Sequence, residues 1–107
     1  MWSGTNPAWI EMTEGDWGVA LPFTVAGATL GESDVLKFTF KDKANGETVL
    51  VKEYGSIVRN TVALELTEAE SALFGPGVYH YTLDWYQDGS FLCCVVSDGI
   101  LKVVDKV

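Results

Sequence analysis

Between residues 34 and 42 the chain reads DVLKFTFKD, and the apolar Leu36, Phe38 and Phe40 alternate with Lys37, Thr39 and Lys41. Successive side chains of a strand point to opposite faces, so this stretch has one face for a core and one for water. The same period of two recurs in VYHYTLDWYQ, where Tyr79, Tyr81, Leu83 and Trp85 fall on one face and Val78, His80, Thr82, Asp84 and Tyr86 on the other. The first set is the expected core face. Shorter apolar runs at residues 8–13, 19–25, 47–53, 61–66, 90–97 and 100–107 complete a series of strands with no sustained helical period. Pro22 marks the second run as an edge strand or a bulge, because proline has no amide hydrogen for a ladder.

The residues between the runs are turn formers. Asn45-Gly46 and Asp88-Gly89 can supply the positive φ angles of tight hairpins, and Asp98-Gly99 a further turn or bulge. One segment differs: Thr67-Glu68-Ala69-Glu70 has the spacing of a capping box, in which the Thr67 hydroxyl accepts from the Glu70 amide and the Glu70 carboxylate accepts from the Thr67 amide. A helix is predicted there. Gly75, able to take the left-handed conformation of a helix end, and Pro76 stop it after about two turns. The expected fold is all-β: an Ig-like antiparallel β-sandwich of about seven or eight strands with one short helical turn. It forms a single domain over residues 1–107, with residues 1–7 as a loose N-terminal arm. Tyr79 or Tyr81, just after the helical crossover, is placed to reach back to the preceding backbone, as in the tyrosine corner of such sandwiches.

Charge narrows the choice of partners. Fifteen acidic residues against seven basic ones give a formal net charge of -8, and the lysines and arginine are scattered from Lys37 to Lys106. Such a surface repels nucleic acid and anionic membranes, so neither is an expected partner. No apolar run approaches the roughly 18 to 20 residues of a membrane-spanning helix. Cys93 and Cys94 are adjacent, with Cα atoms about 3.8 Å apart and side chains directed to opposite faces of a strand, so they are expected to remain thiols. Thiols suit a reducing cytosol, and the opening MWSGTNPAW lacks the basic and apolar regions of a secretory signal.

The search for chemistry returns little. His80 is the only histidine, and no nucleophile-elbow motif stands anywhere to join it in a triad. A histidine-based metal site needs further ligands at workable spacing, and the two cysteines diverge. Glu14, Asp16, Asp88 and Asp98 adjoin turns; gathered together they could hold calcium, but without an acidic repeat of the EF-hand kind they read as turn chemistry. No enzyme activity, metal or cofactor is therefore expected. Three tryptophans, Trp2, Trp9 and Trp17, cluster near the N-terminus. Trp9 sits in an apolar strand pattern and is expected in the core. Trp2 and Trp17, flanked by polar residues and glycines, are the candidate contacts for a partner.

Gly15-Asp16, the run ALPFTV, the unit LELTEAESALFGPGVYHYTLDWYQDG and the closing SDGILKVV together resemble the small β-sandwich domains of bacteriophage and prophage tail modules, in particular the N-terminal domain of phage baseplate upper proteins. The positions that carry the likeness are Gly15, Asp16, Leu66, Thr67, Gly77, Tyr79, Tyr81, Asp88, Gly89 and Gly99. The chain departs from that pattern at Thr82, where an acidic residue is usual, and at Cys93-Cys94. The resemblance implies a non-catalytic assembly part of a tail or baseplate, made in the bacterial cytoplasm and carried in the virion. Its partners would be other tail or baseplate proteins or further copies of itself. A stand-alone accessory protein and one domain of a longer chain both fit. The competing class is an Ig-like carbohydrate- or protein-binding module of a bacterial surface protein.

Overall fold

The structure, a computed structural model, describes residues 9–16, 18, 21–25, 29–42, 46–55, 57 and 59–105, excepting the side chain of residue 98. It is an all-β sandwich of two sheets. The strands are β1 (Trp9–Thr13), β2 (Leu21–Thr24), β3 (Asp34–Asp42), β4 (Thr48–Tyr54), β5 (Thr61–Leu64), β6 (Gly77–Gln87) and β7 (Ser90–Val104), and one turn of helix, α1 (Glu68–Ser71), follows β5. Five strands form one sheet in the order β1-β7-β6-β3-β4, and β2 pairs with β5 in the other. Among the described residues no helix is long and apolar enough to cross a membrane.

The alternations read from sequence set the central strands. Leu36, Phe38 and Phe40 of β3 and Tyr81, Leu83 and Trp85 of β6 are all buried, and they stand opposite one another in the β3–β6 register. Phe23 of β2 caps them from the second sheet, its ring edge-on to Phe38 at 4.9 Å. Phe74, beyond α1, packs edge-on against Phe40 and Tyr79. The Trp85 indole donates to the buried Asp34 carboxylate at 2.8 Å, and the Gly31 amide donates to its other oxygen at 2.7 Å. One polar side chain thus locks the loop before β3 to the far end of β6, with both of its oxygens hydrogen-bonded.

α1 begins as the capping box requires: the Glu70 amide donates to Thr67 Oγ1 at 3.1 Å and the Thr67 amide to Glu70 Oε1 at 2.9 Å. It is shorter than expected, a single turn continued by the bonds from the Leu73 amide to Glu70 and from the Phe74 amide to Ser71. Gly75 does not take the left-handed conformation; the positive φ, +151°, belongs to Gly77. The Gly75 carbonyl instead accepts from the Tyr79 hydroxyl at 2.9 Å, so Tyr79 is the tyrosine that ties β6 to the preceding crossover. Asp88 and Gly89 take φ of 52° and 82° and turn the β6–β7 hairpin as read. Gly46 has φ of 65°; its partner Asn45 lies outside the described residues.

Two expectations are corrected. The sandwich is not wholly antiparallel, because β1 runs parallel to β7, from Trp9 opposite Ile100 to Thr13 opposite Val104. A parallel pair needs a long crossover, and the chain between β1 and β7 supplies it. This register puts Ile10 and Met12 beside Leu101 and Val103, on the core side. The second correction is that Asp98-Gly99 does not divide two strands: β7 is continuous from Ser90 to Val104, and of the turn or bulge expected there the bulge is the one found, β7 holding one residue more than β6 between Gly99 and Val96. From Tyr81 to Gln87 β6 advances six residues while β7, from Gly99 back to Ser90, advances nine, so the ladder carries register breaks. Gly99 lies opposite Tyr81, and a Cβ there would overlap the Tyr81 ring. The glycine therefore makes room for a core aromatic rather than a turn.

Replacing Trp85 by alanine is expected to cost about 3–5 kcal/mol, as large aromatic truncations in cores do. His80→Ala, on the wet face of the same strand, is expected within about 0.5 kcal/mol of the parent. Denaturant midpoints in the opposite order would mean that β6 is one residue out of register. Gly99→Ala should destabilise by about 1–3 kcal/mol through overlap with the Tyr81 ring. Combined with Tyr81→Leu, it should cost clearly less than the sum of the two single changes; simple additivity in the double-mutant cycle would remove the steric role given to Gly99.

Candidate functional site

The second sheet has two strands against five, and it leaves a cleft of about 280 Å³ beside β1. Its floor and walls are apolar: Ile10 and Met12 of β1, Leu101 of β7 and Phe40 of β3 from the large sheet, Leu21, Leu64 and Leu66 from the β2–β5 side. Trp9, Glu11, Asp16 and Glu65 stand at its margin, Trp9 and Glu11 on the outer face of β1. Each wall follows from the strand period, since Ile10 and Met12 point inward two residues apart. The Asp16 carboxylate accepts from the Thr13 amide at 3.0 Å and so fixes the turn that ends β1. Such a cleft can take an apolar group, and its rim favours a cation beside it.

Trp9 is 58% exposed, contrary to its expected place in the core. The reason is register: Trp9 stands opposite Ile100 on the outer side of the sheet, and the inward position falls to Ile10. Trp2 and Trp17 lie outside the described residues. His80 is exposed on the outer face, opposite Lys41 in the ladder. The acidic turns do not gather. Glu14 and Asp16 lie at the end of β1 next to Val104, whereas Asp88 lies at the far end of β6 and β7. The side chain of Asp98 is outside the described set, and among the described residues no three His, Cys, Asp or Glu side chains come together as a metal set. Cys93 and Cys94 are both half-buried thiols. Cys93 packs toward the core, while Cys94 Sγ donates to the Asp84 carboxylate at 3.1 Å on the other face.

A second apolar surface lies at the β6–β7 hairpin. Phe91 is 57% and Leu92 47% exposed, and the Phe91 ring meets Tyr86 edge-on at 5.7 Å. Lys37 Nζ stands 5.4 Å from the centre of the Tyr86 ring, a cation–π contact. Sequence reasoning missed this patch, because a strand reading SFLCCVV predicts one of each adjacent pair to be inside. The break in register between Trp85 and Tyr86 makes Leu92 the supernumerary residue, leaving both Phe91 and Leu92 in water.

No family model, curated protein or solved structure matches the chain.

Away from the cleft, charge closes the other side of the sandwich. Lys52 of β4 donates to the Glu65 carbonyl and to Glu70 Oε1, at 2.9 Å for the carboxylate. Burial works against the Lys52 charge, but the hydrogen bond to Glu70 and the charges of Tyr54 and Glu70 outweigh it, so its pKa is raised. The backbone hydrogen bond from Thr67, then the one from Lys52, hold the Glu70 carboxyl below its ordinary range. Burial pushes the Tyr81 phenol up from 10.0 to about 12. Each shift has a sign in stability. Glu70 contributes above its ordinary pKa of 4.5, and that contribution is lost as pH falls through the lowered value. Lys52 and Tyr81 contribute fully below their ordinary values of 10.5 and 10.0, and lose it as pH rises through the raised ones. Urea unfolding should therefore show a plateau at neutral pH with a fall toward acid and another as pH rises from 10 toward 12. Tyr81→Phe should shrink the alkaline fall; an unchanged alkaline limb would exclude Tyr81 from it.

Proposed function

We propose that the protein is a non-catalytic structural component of a phage or prophage tail or baseplate, acting through protein–protein contacts with tail or baseplate proteins or with copies of itself. The observation that carries the docking role is the placement of large apolar side chains in water at both ends of the five-stranded sheet. Trp9 is exposed at one end, and Phe91 and Leu92 beside Tyr86 at the other. Contiguous apolar groups on a surface of this kind are the material of contacts, and aromatic residues are favoured in them. The tail-module part rests on the resemblance carried by Gly15-Asp16, Leu66-Thr67, the Gly77-x-Tyr79-x-Tyr81 strand, Asp88-Gly89 and Gly99. Assembly then takes place in the bacterial cytoplasm and ends in the virion.

A second reading, an Ig-like carbohydrate-binding module of a bacterial surface protein, is favoured by one observation: an exposed indole, Trp9, beside the carboxylates of Glu11 and Asp16. The cleft itself, walled by aliphatic side chains, offers a sugar few hydroxyl partners.

Tagged protein should retain tail or baseplate proteins from a lysate expressing the genes that flank its own, and should leave a glycan array blank. Phe91→Ser combined with Leu92→Ser should reduce that retention while leaving the unfolding midpoint nearly unchanged. Selective glycan binding lost on Trp9→Ala, with no tail protein retained, would replace the structural reading by the carbohydrate one.

A further inference from the structure

The two edges of the five-stranded sheet are not alike. β4, at one edge, carries Lys52 and Glu53, has a register shift near Phe40 and Lys41, and is clamped from the second sheet by Lys52 and Tyr54. Charged residues and irregularities of this kind discourage a further strand from pairing. β1, at the other edge, reads Trp9-Ile10-Glu11-Met12-Thr13, with no lysine, no proline and no register break against β7. Among the described residues its only strand partner is β7. In a ladder, alternate residues direct their N–H and C=O groups to each side; those of Thr13, away from β7, are taken by the Asp16 carboxylate and amide, so β1 presents the groups of Trp9 and Glu11 on its outer edge.

The apolar cleft lies against this same strand. A segment adding to the outer edge of β1 would extend the sheet, and every second side chain of that segment would turn toward the second sheet. There it meets the apolar walls of Met12, Leu21 and Leu64. Asp16 and Glu65 stand at the margin where the residues flanking those anchors would lie, Glu11 projects from the outer face of the same edge strand, and the net charge of the chain is -8. Lys102, opposite Glu11 in the register, and Lys52, whose ammonium donates to the Glu65 carbonyl, offset part of that charge. The backbone edge selects an extended strand, the cleft selects alternate apolar side chains, and the rim selects positive charge at its ends.

We propose that β1 and the adjoining cleft form a strand-addition site that takes an extended, basic-flanked segment of a partner protein, with alternate apolar residues seated in the cleft. The proposal rests on the docking role given above and assigns it a place. The probe is a short fluorescent peptide with leucine at alternate positions, threonine between them and lysine at both ends, titrated into the full chain and followed by anisotropy. It should bind saturably and more weakly as salt rises. Three companions should bind much less: the same peptide with glutamate ends, one with its leucines made consecutive, and one N-methylated at alternate amides so that it cannot join a ladder. Glu65→Lys, at an exposed position that carries no core contact, should weaken the lysine peptide about three- to tenfold and strengthen the glutamate one. Met12→Lys should abolish binding, and a preserved unfolding midpoint in Glu65→Lys separates loss of the site from loss of the fold.

Equal binding by the N-methylated peptide would overturn the strand-addition site, and equal binding by the glutamate peptide would overturn its charge preference. Absence of binding by every peptide, with tail proteins still retained in the pull-down, would remove this site while leaving the docking role. Absence of both would remove the two together.

Discussion

A sheet of five strands is covered by a sheet of two, and most of the architecture answers that mismatch. Strands in a sheet lie about 4.8 Å apart, so two strands span less than half the width of five. The inner face of the large sheet is nevertheless apolar along β3, β6 and β7, and burying it is the main gain available to the fold. The missing cover is assembled from other parts. Phe23 of β2 sits over Phe38 and Tyr81, Phe74 reaches in from the crossover over Phe40 and Tyr79, and Leu30 and Ile57 come from loops. Asn60, with φ of 58°, accepts from the Leu30 amide and donates to the Val25 carbonyl, and so holds two of those loops against the sheet.

The cover is not spread evenly. On the β4 side the end of β5 and the start of α1 are tied down by Lys52, whose ammonium reaches the Glu65 carbonyl and the Glu70 carboxylate, and by the Tyr54 hydroxyl, which accepts from the Glu65 amide. Glu70 is shared: the same oxygen that completes the capping box also receives Lys52. A helix of one turn has little stability of its own. Here the cap that starts it and the ion pair that fixes it to the sheet use one side chain, which explains how so short an element keeps its place. On the β1 side no side-chain tie of this kind is seen among the described residues; the Gly18 amide donates to the Leu66 carbonyl at 3.0 Å, and the cleft opens beside that backbone bond.

What the sequence disclosed follows the reach of its signals. Strand period and turn chemistry are local, and they located β3, β4 and β6, the Asp88-Gly89 hairpin, the capping box and the inward faces of Tyr81, Leu83 and Trp85. Partner choice is not local. Nothing in WIEMT says that β1 will run parallel to β7, and once it does, the inward residues are Ile10 and Met12 and the tryptophan is left outside. Gly99 shows the same limit from the other side. Beside Asp98 it has the form of a turn, yet its missing side chain serves a ring eighteen residues back on another strand. The breaks in the β6–β7 ladder beyond Leu83 were also hidden, and with them the exposure of Phe91 and Leu92, whereas the bulge beside Asp98-Gly99 was one of the two readings its residues offered. The cleft could not be read at all, because it is defined by where one sheet stops covering another. Trp2 and Trp17, chosen from their flanking residues, lie outside the described part of the chain.

The open side and the closed side have one physical origin. A short cover placed over β3 and β4 can be fastened there by long polar side chains, since Lys and Tyr extend past the core to reach carbonyls and carboxylates. The same placement leaves Ile10, Met12 and Leu101 beneath a gap at β1, where the strand itself is apolar enough to pack and carries one charge, Glu11, and no lysine to discourage another strand. Exposed strand edges over an apolar surface are a hazard for a protein that must stay separate from others. They are an asset for one that must join an assembly, because backbone pairing fixes orientation while the cleft adds apolar contact. The contrast between a fastened edge and an unfastened one is thus the physical basis of the strand-addition site proposed at β1.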